Sequence, residues 1–125
     1  MTDEQQAWLA KAQQRLQGAA CLEAKQLYDG IADAAFFTMF YVAKFFLLDH
    51  GLRFTRERST ISAFGQHCVK TGRVPANFQR HLLDAWEIRR QCEFGFGPLL
   101  PDTIALTLIQ QAEAFVHAAE AVRGA

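Results

Sequence analysis

Apolar residues recur along this chain at three- and four-residue intervals, not in alternation, and glycine and proline fall mostly between the periodic runs. The pattern predicts five helices and no strand. The first, about Thr2 to Leu27, carries Trp8, Ala12, Leu16, Ala19 and Leu22 in an approximate stripe, with Thr2 or Asp3 as its cap. The second, about Asp29 to Asp49, is apolar almost all round, as in a helix packed on several sides, and Gly51 is its stop. A third, about Ser59 to Thr71, is capped by Ser59 or Thr60, buries Ile61, Phe64 and Cys68, and ends at Gly72. Pro75 opens a fourth at the first helical position, with Phe78, Leu82, Ala85, Trp86, Arg89 and Cys92 on one face. That helix runs out at Gly95-Phe96-Gly97-Pro98. Pro101 and Asp102 open the fifth, whose stripe is Ile104, Leu108, Ala112, Phe115, Ala119 and Val122. Short links between antiparallel neighbours imply an all-α, up-and-down bundle of four or five helices.

Composition narrows this picture. A chain of 125 residues fits one domain, 1–125, and can bury a core without a metal or disulfide staple. Thirteen Lys+Arg balance thirteen Asp+Glu, which weighs against a protein that lives on phosphate-backbone contacts. The one basic cluster is Arg53, Arg56 and Arg58, with Lys70 and Arg73 nearby. With the helix N-terminus at Ser59-Thr60 it is a candidate phosphate-binding edge, against the simpler reading of a solvated loop. Three cysteines with no C-x-x-C read as reduced thiols of a cytoplasmic protein. His67-Cys68 and Cys92 lack ligand spacing, so no metal and no cofactor is expected. The acidic N-terminus does not resemble a signal peptide. The apolar run Ala34–Leu48 contains Lys44 and falls short of the ~20 residues of a spanning helix, so no membrane partner is expected. Eleven phenylalanines against two tyrosines is the oddest feature of the composition.

The second to fourth helices read Ala35-Phe36-Phe37-Thr38-Met39-Phe40-Tyr41-Val42-Ala43-Lys44, Gly51-Leu52, Ile61-Ser62-Ala63-Phe64-Gly65, Val69-Lys70-Thr71-Gly72 and Arg89-Arg90-Gln91-Cys92-Glu93-Phe94. Together they resemble the small stand-alone prokaryotic HEPN-domain family, from Trp8 to about Ala119. The family pattern is close to A-Y-Y-A-x-F-x-A-A-K, K-G-L, I-x-x-F-G, V-K-T-G and R-x-x-A-D-Y. The resemblance implies a helical bundle, commonly a homodimer, that partners a minimal nucleotidyltransferase in a toxin–antitoxin or defence module. It also implies, for active members, metal-independent RNA cleavage through R-x(4–6)-H, often followed by x-Y.

Such cleavage needs a base for the 2′-hydroxyl proton, an acid for the leaving oxygen and charge stabilisation at the phosphorane. No arginine here has a histidine five to seven positions later. Arg89 fills the arginine slot, Phe94 the histidine slot and Phe96 the tyrosine slot, and a phenyl ring transfers no proton. Phe36-Phe37 stands for Tyr-Tyr, Ala34 stands where many relatives carry Arg, and Glu57 lies near a position that is often His. Arg89, Arg90, Glu93, Phe94 and Phe96 are therefore expected to line the remnant of a cleft. The main expectation is a homodimeric interaction protein with a degenerate RNase motif. The alternatives are an endoribonuclease toxin using Arg89 and Glu93, with Glu93 as base, or a nucleotide- or anion-binding protein. Arg89 and Glu93 also fit a plain i, i+4 ion pair, in the weaker of its two orders.

Overall fold

A computed structural model describes residues 1–123. Five α-helices make an up-and-down bundle, and no strand occurs among the described residues. They are α1 (Asp3–Ala24), α2 (Tyr28–Leu47), α3 (Glu57–Phe64), α4 (Phe78–Phe94) and α5 (Asp102–Arg123).

Helix α1 starts at a capping box. The Thr2 hydroxyl accepts from the Gln5 amide, and the Gln5 side chain accepts from the Thr2 amide, which satisfies two of the orphan donors. Gln5 then reaches across to α2, donating to the Phe45 carbonyl and to Asp49 Oδ1. This buried amide sets the antiparallel register of the first two helices. The inner face of α1 is accordingly Gln5, Leu9, Ala12 and Ala19, with Trp8, Leu16 and Leu22 only half-buried. Of the expected stripe, Ala12 and Ala19 are thus fully inside, and Trp8, Leu16 and Leu22 lie at the edge of the buried face. A turn through Gln26, in the left-handed region at φ 59°, returns the chain into α2.

Helix α2 is the axis of the bundle and packs against α1, α3, α4 and α5. Ile31, Ala35, Phe36, Met39, Val42, Ala43, Phe45, Phe46 and Leu47 are all buried. The segment Tyr28–His50 is long and apolar enough to cross a membrane, but of its most apolar 18-residue stretch, with mean hydropathy 1.7, 72% is buried inside the bundle. A core helix accounts for that pattern. It ends as expected, through a short 3₁₀ turn to Gly51 in the left-handed region.

The third segment departs from expectation. Its cap is the Arg56 backbone, not Ser59 or Thr60, and Thr60 instead donates back to the Arg56 carbonyl from inside the helix. After Phe64 the coil widens into a π-turn, Gly65–Val69, before Gly72 stops it at φ 78°. Gly65 opens this widening. A β-carbon there would lie 2.8 Å from Gln79 Cδ, so glycine leaves room for the Gln79 amide at the start of α4. Pro75 sits a turn before α4 rather than at its first position; its carbonyl accepts from the Phe78 amide. Helix α5 then closes the core with Ala105, Leu108, Ile109, Ala112, Phe115, Val116 and Ala119, while Ile104, expected inside, is 40% exposed.

The thiols form a graded series. Cys21 is exposed, Cys92 half-buried and Cys68 fully buried. Burial raises the Cys92 thiol and holds Cys68 up at about 11. Iodoacetamide at neutral pH should therefore alkylate Cys21 first, Cys92 slowly and Cys68 only after denaturation, as read by peptide mass spectrometry. Equal rates at Cys21 and Cys68 would contradict the packing described.

Candidate functional site

Arg89 projects from α4 onto α2 and is the most heavily engaged side chain of the molecule. Its Nε donates to Asp33 Oδ1 at 3.2 Å, its Nη1 to Glu57 Oε1 at 3.1 Å, and its Nη2 lies 3.4 Å from Glu93 Oε2. Its guanidinium carbon stands 5.3 Å and 4.8 Å from the ring centres of Phe36 and Phe37. The side chain is only 16% exposed. Each element contributes for a local reason. Asp33 lies one helical turn before Phe36 and Phe37 on α2, so acid and rings share a face. Glu57 opens α3, where a carboxylate suits the helix N-terminus, and it also accepts from the Trp86 indole at 3.1 Å. Arg58 and Arg90 both lie over the Trp86 ring, at 5.6 Å and 4.8 Å from its centre.

This arrangement uses the donors that phosphate recognition would need. All three guanidinium nitrogens face carboxylates, and a phosphate would have to displace one and sit beside the others. Asp33, Glu57 and Glu93 face Arg89 and Arg15, the latter 3.4 Å from Asp33. No imidazole takes part in these contacts. The cluster can clamp three helices together, with Arg89 engaged at all three of its nitrogens.

The expected cleft is only partly assembled. Arg89 and Glu93 do meet. Arg89 and Glu93 line a cavity with Asp29, Asp33 and Cys92, and Phe96 borders an adjoining one that shares Asp29 and Cys92; Phe94 lines neither, and both rings are largely exposed, at 73% and 108%, because α4 ends at Phe94. The expected phosphate edge is likewise broken up. Arg53 is held by Glu4 through three hydrogen bonds of 2.8–3.1 Å, and that pairing draws the Glu4 carboxyl below its ordinary range. Arg58 is on Trp86, Ser59 is inside α3, and Lys70 lies beyond the π-turn. Arg56 alone stays at the helix start, where Glu57 already occupies the first turn. Among the described residues no cluster of His, Cys, Asp and Glu has the makings of a metal site.

A second feature was not anticipated. The outer seam of α2 carries Asp33, Phe37, Tyr41 and Lys44, at helical spacing, and its rings are roofed by cations. Arg89 and Arg15 cover Phe37, Arg15 and Lys11 cover Tyr41, and Lys11 and Lys44 cover Trp8, which stacks on Tyr41 at 5.4 Å. Cations with apolar stems thus close the one side of α2 that no helix covers fully. The available signal was that Asp33 and Lys44 are the sole charges between Gly30 and Asp49, three turns apart.

Similarity to known proteins now adds a name for the group. No family model matches the chain. A UPF0332 protein of Gloeobacter violaceus is 38% identical over 95 residues, 76% of this chain and 75% of that protein. The chain belongs to the UPF0332 family. A UPF0332 protein of Thermotoga maritima is 25% identical over 113 residues, 90% of this chain and 86% of the relative. Both UPF0332 relatives are matched over most of their own length, 75% and 86%.

Proposed function

We propose that this UPF0332 chain is a HEPN-type bundle that works by binding a protein partner and does not cut RNA. In this reading it forms a homodimer and serves as the partner of a minimal nucleotidyltransferase in a toxin–antitoxin or defence module. The observation that carries the reading is the saturation of Arg89 by Asp33, Glu57 and Glu93 over the Phe36 and Phe37 rings. The arginine that active relatives use for charge stabilisation serves here as a structural clamp. The link after α4 supports the partner half of the reading. Phe94, Phe96 and Leu99 are 73%, 108% and 77% exposed, an apolar surface of the kind that marks protein contacts.

Purified protein incubated with total RNA and no divalent metal should leave the RNA intact. Cleavage that disappears in Arg89→Ala would overturn the reading. Light scattering should give twice the 14.1 kDa chain mass. Co-expression with a nucleotidyltransferase encoded beside the gene should give co-elution, and Phe94→Ser/Phe96→Ser should weaken it. Co-elution unaffected by those changes would move the contact elsewhere on the bundle.

A further inference from the structure

We propose that the cleft between the start of α1, the end of α2 and the link to α3 binds a small carboxylic acid with an apolar body. This inference is independent of the reading above and concerns the opposite end of α2 from the Arg89 cluster. The cleft measures about 230 Å³, with walls from Trp8, Leu47, Leu48, Leu52 and Phe54. That is below the ~300–1,000 Å³ usual for larger ligands, so one ring or a short chain fills it.

Lys44 supplies the recognition. It is the only charge in the second half of α2, and its side chain lines the cleft. Its ammonium donates to the Phe54 carbonyl at 2.9 Å and stands over the Trp8 and Phe40 rings at 4.7 Å and 5.1 Å. None of these neighbours carries a negative charge, and no ion pair holds Lys44 among the described residues. An ammonium has three donors, and only one is hydrogen-bonded. Burial, with the nearby Lys11 charge, already presses this lysine below its ordinary value. The species that relieves all of this is an anion on the ammonium, with its hydrocarbon against the leucines.

The rim adds a second charge control. Glu4 and Arg53 both line the cleft and are bonded to each other, so Arg53 presents no net charge to a ligand. Neutralising Glu4 should release Arg53 as a second partner for the acid. A merely greasy cleft would be indifferent to that change.

The probe is cyclohexanecarboxylate, with cyclohexylmethanol as its uncharged match, followed by NMR of the two tryptophan indole resonances. Trp8 is in the wall, while Trp86 is held on Glu57 elsewhere and serves as the internal control. The acid should shift the Trp8 resonance saturably and leave Trp86 in place; the alcohol should shift neither. Lys44→Met should abolish the shift, and Glu4→Gln, a surface change, should tighten binding by about 2- to 5-fold. The proposal is overturned by equal response to acid and alcohol, by undiminished binding in Lys44→Met, or by no gain in Glu4→Gln.

Discussion

Phe115→Ala is expected to lower the thermal midpoint by about 10–20 °C, because it removes the side chain that ties α5 to the rest of the core. Phe115 is fully buried. Its ring lies flat on Phe78, 4.0 Å between centres with 8° between planes, and 6.0 Å from Phe64. Truncating a buried phenylalanine costs about 3–5 kcal/mol through lost burial and an unfilled cavity. Ring–ring contact adds on the order of 1 kcal/mol. Against a typical stability of about 5–15 kcal/mol, that is a large share. Thermal melts followed by circular dichroism measure it. Phe115→Leu should recover part of the loss by refilling the space; a drop below about 3 °C for the alanine variant would mean the core closes without this stack.

Arg89→Ala is expected to cost about 2–4 kcal/mol, more than a surface ion pair, since the lost group is nearly buried and holds three acids from three helices. Asp33, Glu57 and Glu93 would be left gathered without their cation, and the Phe36 and Phe37 faces uncovered. The signature is ionic strength. Adding about 0.5 M salt should restore part of the variant's stability by screening like charges, with little effect on the native protein. Arg89→Lys should recover less than half, because a point charge on a flexible stem cannot meet three carboxylates and stack on two rings. Urea melts at low and high salt decide this. A variant as stable as the native chain would show that the cluster is decorative, and the clamp reading would fall with it.

These two sites also show how far the sequence could be read. The bundle was legible because its signals are local: Gly51 and Gly72 stop their helices in the left-handed region, and the stripe of α4 faces inward as its spacing says. The π-turn after Phe64 was not, because nothing in the helical spacing of Ile61, Phe64 and Cys68 marks a change from one helical pitch to another. Arg89 and Glu93 were legible as an i, i+4 pair; Asp33 and Glu57 were not, since long-range ion pairs leave no periodic trace. Phe94 and Phe96 were expected in a cleft by analogy of position. Position along a helix does not say whether rings at its end are covered, and here both are largely exposed.

The roof of cations over α2 bears on the moments before the fold exists. Tyr28–His50 is hydrophobic enough to be taken for a membrane segment as it leaves the ribosome. Two of the cations that shade its rings, Lys11 and Arg15, reside on α1 and are therefore synthesised first. The short return through Gln26 lets α2 fold back on α1 as a local hairpin, the quickest kind of contact to form. Because α1 precedes α2 in the chain, one side of the greasiest helix has its cover already made when that helix is synthesised.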